Sequence, residues 1–201
     1  MTISTSRIEA FSDGVIAIII TIMVFDLKLP DAAEPQKLWL AMQQLLPRFL
    51  SFILSFAAIA IMWVNHHQIF HQVQQTDRSL LWYNLHLLFW ISLIPFVTNM
   101  LGTHSLQPEA TLMYGLVFFA CAVAFTLLRN YLLKSGLLHQ TISTAAQLRI
   151  IRKNRLAYTL YLSGALLGYV SVYVSFALFA FVPAMYFMPE KIVHDTAADK
   201  L

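Results

Sequence analysis

The chain has 201 residues, of which 59% are hydrophobic and only 11% are charged, and its mean hydropathy is +0.67. This composition lies outside the range of soluble domains and predicts a membrane protein. The net charge of +3 is small, and the sequence offers no basic, aromatic-rich soluble surface, so nucleic acid is excluded as an expected partner.

Mostly apolar stretches of about 20 residues, the length that crosses a bilayer as a helix, predict an all-α architecture. They cover 11–29, 49–75, 80–100, 110–128 and 156–189. The last is too long for one helix, because at about 1.5 Å per residue it would reach roughly 50 Å, against a hydrocarbon core of about 30 Å. A turn at 168–171 divides it and gives six transmembrane helices. Pro47 is expected to start the second span, and Pro95 is expected to kink the third or to mark where it approaches the outer interface.

Basic residues are unequally divided between the two sides that six spans define. Short cytoplasmic loops hold the excess of Lys and Arg, so both termini are predicted to be cytoplasmic. Residues 1–190 then form one six-helix transmembrane domain, and 191–201 form a short cytoplasmic tail. The terminal side carries Arg7, Arg78, Arg129, Lys134, Arg149, Arg152, Lys153, Arg155, Lys191 and Lys200, whereas the other side carries Lys28, Lys37 and Arg48.

The polar segment 135–151 leads into the basic cluster at 149–155. Its position favours a positive flank that orients the fifth span. An amphipathic surface helix that contacts anionic lipid headgroups is the alternative.

The first span opens with a polar motif, Arg7-x-x-x-Phe11-Ser12-Asp13. An aspartate costs roughly 2.5 kcal/mol or more at the centre of a membrane helix, so Asp13 is expected to face protein or water rather than lipid. The motif therefore predicts that this helix lines a pathway.

Beyond the motif, Ile18, Ile22 and Phe25 fall on one helical stripe with Thr21 at its edge. Bulky apolar rings can gate a pore by excluding water, and a threonine oxygen can coordinate a passing cation. The alternative for an Ile-rich span is a lipid-facing or packing surface.

The second span ends in a polar run at 63–71, which an antiparallel neighbour returns to the side of Ser12 and Asp13. A histidine that donates to either residue would satisfy buried groups and hold the first helix in place. The candidates for this network are Trp63, His66 and His67, together with Asn84 of the third span. His67 and His71 are four residues apart, but without a metalloprotease Glu or further acidic ligands no metal site is predicted.

Three motifs together resemble the bacterial members of the transmembrane protein 175 family. They are Arg7-x-x-x-Phe11-Ser12-Asp13-Gly14, Trp63-x-Asn65-His66-His67-x-x-Phe70, and Asn84 followed by Ser92-x-x-Pro95-Phe96. The resemblance implies a potassium-selective channel in the bacterial cell membrane, assembled as a homotetramer with the first span of each subunit around a central pore. It implies no cofactor, with potassium as the permeant ion and membrane lipids as the surroundings.

The resemblance also implies a hydrophobic filter. Its tightest ring falls on Ile18, with Ile22 as a close alternative, Thr21 one turn outward and Phe25 above. Phe25 departs from the small or aliphatic residue expected at the outermost ring. The structural network at the pore entrance then comprises Arg7, Phe11, Ser12, Asp13, Trp63, His66, His67 and Asn84.

Three other functions compete with the channel. A proton-coupled secondary transporter would titrate Asp13 with His66 or His67, but no inverted repeat is evident. An intramembrane metalloenzyme would use His67 and His71, and a scaffold would use none of these residues. The channel is the favoured interpretation, and an enzyme is not expected.

Overall fold

In a computed structural model, residues 4–28, 35–138 and 144–187 are described, and they fold almost entirely into helices. The third and fourth helices follow one path, so the helices form six successive segments. In chain order they are α1 (Thr5–Ile22), continued by a 3₁₀ turn (Met23–Asp26), α2 (Pro35–Phe70), α3 (Arg78–Ser92), α4 (Ile94–Thr103), α5 (Pro108–Ser135), α6 (Thr144–Leu167) and α7 (Val172–Phe187).

Within these described ranges, four segments are long and apolar enough to cross a membrane. They are Thr5–Asp26, Leu38–Phe70, Arg78–Thr103 and Pro108–Ser135. The apolar parts of the last two segments are shorter, since α7 is apolar over Val172–Tyr186 and the first half of α6 carries the basic cluster. A turn at 168–170 separates α6 from α7, so the predicted division of the last apolar stretch into two helices is confirmed within the described residues.

The two prolines of the central spans behave differently. Pro95 lies at the start of α4, and the helix is interrupted at Leu93, at the place where the sequence predicted a kink. The expected helix start at Pro47 is wrong, because α2 begins at Pro35 and runs through Pro47. Proline is best tolerated in the first helical turn, where its missing N–H has no helical partner, and Pro35 occupies that place. In a membrane helix an interior proline is tolerated because neighbouring helices, Ser and Thr side chains or local adjustments of the helix satisfy the backbone groups that it frees.

The basic cluster belongs to α6 itself. Gly136, with a left-handed φ of 70°, ends α5, and α6 then runs without interruption from Thr144 through the cluster to Leu167. A separate amphipathic helix over 135–151 is therefore not what the described residues form. The predicted tail at 191–201 lies outside the described residues.

Helices α1, α3 and α6 begin at the same end of the bundle at which α2, α5 and α7 finish. We call this end the basic end, because the basic cluster at 149–155 lies there. Its loops are fastened to the helices. The backbone N–H of Gln74 donates to the carbonyl of Leu137 at 2.8 Å, which ties the α2–α3 loop to the end of α5. Asp77 accepts from the backbone N–H of Leu80 at 2.7 Å, capping α3, and also accepts from the Tyr131 hydroxyl.

Candidate pore-lining site

The α1 helix has one face inside the subunit. That face packs against α2, α3 and α4. Since its members recur every three or four residues, they form one stripe on the helix. The buried stripe consists of Ile8, Ser12, Ile16 and Ile19, and it continues into the 3₁₀ turn at Met23.

The opposite face of α1 is exposed along its whole length. Phe11, Ile18 and Phe25 are 55%, 58% and 68% exposed and recur every seven residues. Ile22 is 46% exposed, and Thr21 is exposed at the edge of the same stripe. The four residues predicted to line a pore therefore share one exposed stripe, which runs along α1 and ends at Phe25 in the 3₁₀ turn.

The hydroxyl of Thr21 has a defined orientation. It donates to the carbonyls of Ala17 and Ile18, both at 3.0 Å. A hydroxyl has a single hydrogen and two acceptor lone pairs. Because the hydrogen points back along the helix, the Thr21 oxygen can offer its lone pairs to a cation on the exposed face.

A buried chain of hydrogen bonds holds the start of α1. The Asn84 amide nitrogen donates to the Ser12 hydroxyl at 2.9 Å, and Ser12 donates to the carbonyl of Ile8 at 2.8 Å. His66 Nε2 lies 2.8 Å from the Asn84 amide oxygen, and since that oxygen can only accept, Nε2 carries the hydrogen. Ser12, His66 and Asn84 are each at most 1% exposed, so this chain ties α1, α2 and α3 together in the interior.

Asp13 has a different partner from the one expected. The Trp63 indole N–H donates to its carboxylate at 2.8 Å, so Trp63 rather than a histidine satisfies this acid. The expected histidine contact with Ser12 is indirect and passes through Asn84. The reason is position on α2: His66 points into the core towards α3, whereas Trp63 lies one turn away on the side of Asp13.

His67 lies outside the buried chain. It is half exposed, stacks on Trp63 with ring centroids 5.9 Å apart, and places Nδ1 3.8 Å from a carboxylate oxygen of Glu9. Sequence reasoning missed Glu9, although its spacing of four residues from Asp13 puts both acids on one side of α1.

The other candidates of the entrance are more loosely placed. Arg7 and Phe11 are exposed, and within the described part of the subunit the Arg7 guanidinium has no hydrogen-bond partner. The His67 and His71 rings are 6.2 Å apart. Among the described residues, no group of three His, Cys, Asp or Glu side chains is arranged to hold a metal ion.

The fold and this site define a class: multi-span helical membrane proteins whose first helix is anchored at its buried face and presents an open stripe. A family model described as "Endosomal/lysosomal potassium channel TMEM175" matches residues 7–95, which include α1, the network and the kink at Pro95. A relative from Chryseobacterium sp. (strain P1-3), named a potassium channel, is 36% identical over 92% of this chain and 93% of its own length. The chain belongs to the TMEM175 family.

Two further comparisons bear on fold and function. The crystal structure described as a lysosomal potassium-selective channel TMEM175 homolog from Chamaesiphon minutus superposes with a TM-score of 0.80, at 32% identity over 91% of this chain and 96% of that one. A rat relative named an endosomal/lysosomal proton channel is 29% identical over 72% of this chain, but only 31% of the rat protein is covered. The family resemblance and the fold expected from the motifs are confirmed.

Proposed function

We propose that this chain is one subunit of a homotetrameric, potassium-preferring cation channel in the plasma membrane of a bacterium, with the α1 helices of four subunits around its pore. One observation carries the proposal. One face of α1 and of the 3₁₀ turn is exposed along its whole length and carries Ile18, Thr21, Ile22 and Phe25. The opposite face is buried inside the subunit. In an assembly of subunits around a central axis, that exposed face would line the pore.

The chemistry of the open face suits a narrow cation pore. A ring of Ile18 side chains would exclude hydrated ions, and selectivity would then follow from the differing dehydration costs of the ions and from nearby oxygens. Thr21 is the nearest such oxygen donor along the stripe, and its hydrogen already points to the backbone. Ile22 and Phe25 would continue the apolar lining beyond the constriction.

The buried hydrogen bonds fix which face of α1 is open. Successive residues on a helix differ by about 100°. A rotation by one residue would therefore move Ile18 off the stripe and separate Ser12 from Asn84. The bonds of Ser12 and Asp13 to α3 and α2 oppose that rotation. On this proposal the network has a structural role, in that it sets the register of the constriction.

Potassium as the permeant ion draws support from the names of the bacterial relatives, and the rat relative makes the proton its competitor. A proton-coupled transporter that uses His66 is less well supported. Its Nε2 hydrogen faces the Asn84 amide, which does not take up and release protons near neutral pH, and Nδ1, where a proton would be taken up, is buried with no hydrogen-bond partner among the described residues to deliver one. The chain of bonds then ends on the backbone carbonyl of Ile8.

The test is the reversal potential of the purified protein in planar bilayers, with potassium on one side and sodium on the other. The wild type is expected to reverse near the potassium potential. Ile18→Asn places an amide in the constriction and should shift the reversal towards zero or change the conductance. Ile53→Asn is the matched control, because Ile53 is an exposed isoleucine of α2, 46% exposed, outside the proposed pore.

Three results would overturn the proposal. Equal effects of Ile18→Asn and Ile53→Asn would place the constriction elsewhere. A reversal that follows the pH gradient instead of the potassium gradient would favour proton permeation. A saturable, pH-driven uptake without current steps would favour the transporter.

A further inference from the structure

A cavity of about 50 Å³ lies between α2, α5, α6 and α7, away from the open face of α1. Most of its wall is apolar, as a hydrocarbon chain requires. The apolar lining includes Ala58, Met62, Ala122, Phe125, Val182 and Pro183. A volume of this size has room for part of an acyl chain and exceeds the minimum of about 15 Å³ that one water needs.

The end of the cavity nearer the basic end is polar. Asn65, Asn154 and Tyr186 line it there, and the Tyr186 hydroxyl donates to the Asn154 amide oxygen at 3.0 Å. The Asn65 amide lines the same wall and has no hydrogen-bond partner among the residues that the structure describes. Ala58 lies seven residues earlier on α2, about 10 Å away along the helix, so the wall changes from polar to apolar over that length.

Two cations flank the polar end. The Lys153 ammonium lies 4.5 Å from the centroid of the Tyr186 ring, the same ring that lines the cavity. Arg149 precedes Lys153 by one turn of α6, lies on the same side of the helix and is exposed. Positive charge, an unpartnered amide and an apolar cavity therefore follow one another along one path into the membrane.

We propose that this path binds one anionic phospholipid per subunit. The phosphate lies on Lys153 and Arg149, the ester region lies beside Asn65, and part of one acyl chain enters the cavity. A basic residue at a membrane surface attracts an anionic headgroup with about 1 kcal/mol, which corresponds to roughly fivefold in affinity. The inference concerns lipid binding alone and does not depend on which ion the protein conducts.

The topological role of the basic residues does not account for this arrangement. The positive-inside rule counts Lys and Arg near the ends of spans and places no condition on which side of a helix they occupy. Here the Lys153 ammonium lies over Tyr186, and Arg149 is about 40° from Lys153 around α6, whereas Arg152 and Arg155 are about 100° and 160° from it. That division supplies a matched control with the same loss of charge.

The test is native mass spectrometry of the full chain in detergent, supplied with equal amounts of phosphatidylglycerol and phosphatidylcholine. The wild type should retain phosphatidylglycerol in preference. The double variant Arg149→Gln/Lys153→Gln should lower the retention of phosphatidylglycerol by roughly fivefold or more. The control variant Arg152→Gln/Arg155→Gln loses the same charge away from the cavity and should keep that retention within about twofold of wild type.

A second pair of variants tests the cavity without changing charge. Ala122→Leu fills the cavity and should at least halve the phosphatidylglycerol retained, whereas Ala120→Leu, on another side of α5, should not. Each variant is first melted in phosphatidylcholine alone to establish that it is folded.

Any of three outcomes would overturn the proposal. Retention of both lipids by the wild type in the proportions supplied would mean that no anionic site exists. Equal losses in the two double variants would indicate diffuse surface charge. Unchanged retention in Ala122→Leu would show that no chain enters the cavity.

Discussion

The hydrogen bond between Ser12 and Asn84 makes a quantitative prediction for stability. It joins α1 to α3 in the interior, with both residues at most 1% exposed. Asn84→Ala removes this bond and also leaves the buried His66 N–H without its acceptor, which costs about 1–3 kcal/mol. Ser12→Ala removes the same bond and leaves one Asn84 amide N–H without its acceptor, but the His66 Nε2–H keeps its acceptor, so the cost is expected at the lower end of that range, about 1 kcal/mol.

A double-mutant cycle separates the shared bond from the other losses. The two single variants and the double variant are unfolded with SDS from mixed micelles, and the free energies of unfolding are compared. Interhelical hydrogen bonds in membranes give couplings of about 0.6 kcal/mol on average and about 1.7 kcal/mol at most. Because this bond is fully buried, a coupling near the upper half of that range is expected.

The control cycle pairs Ser12→Ala with Ser55→Ala. Ser55 is also buried, but it belongs to a separate group of hydrogen bonds with Thr98 and Tyr114. It lies eleven residues before His66 on α2, about 16 Å along the helix, so additivity within about 0.5 kcal/mol is expected. If the Ser12 and Asn84 effects add as closely as the control pair, the network does not hold α1 and the reasoning is refuted.

Two further predictions use the same unfolding measurement. In Gly168→Ala the new Cβ would overlap the Thr111 hydroxyl, which should lower the free energy of unfolding by about 1–3 kcal/mol. Adding Thr111→Ala should restore most of that loss. Gly14→Ala is the control, because a Cβ there meets nothing within 4 Å. Equal costs at the two glycines would contradict this packing. Asp77→Ala removes the cap on the N–H of Leu80 and should lower the free energy of unfolding by about 1 kcal/mol. Asp77→Asn keeps an acceptor and should lower it by less. A larger loss in Asp77→Asn than in Asp77→Ala would contradict the capping role.

Much of the fold was predictable because hydrophobic length and proline position act locally. The stretch 80–100 and its kink at Pro95 correspond to α3 and α4, and the division of the last stretch corresponds to the turn between α6 and α7. Pro47 was misjudged because its effect depends on what surrounds it. A proline marks a helix start in water more reliably than in lipid, where the helix is retained to satisfy the backbone.

The site was predictable as a set of residues but not as a set of pairs. Periodicity alone placed Ile18 and Phe25 on one face, and the structure leaves that face open. The partner of Asp13 depended on the rotation of α2, which decides whether Trp63 or His66 faces α1. Because both residues lie in one polar run, the sequence pattern did not distinguish them.

Silver block of introduced cysteines tests most directly whether the open face of α1 lines the conduction path. Potassium currents are recorded in nitrate solution before and after silver ions are added. The native Cys121 is fully buried, so the unmodified chain should keep its current. Ile18→Cys should lose most of its current, and Ile53→Cys, on the exposed face of α2, should keep it. Retained current in Ile18→Cys together with block in Ile53→Cys would place the path outside α1 and contradict the account.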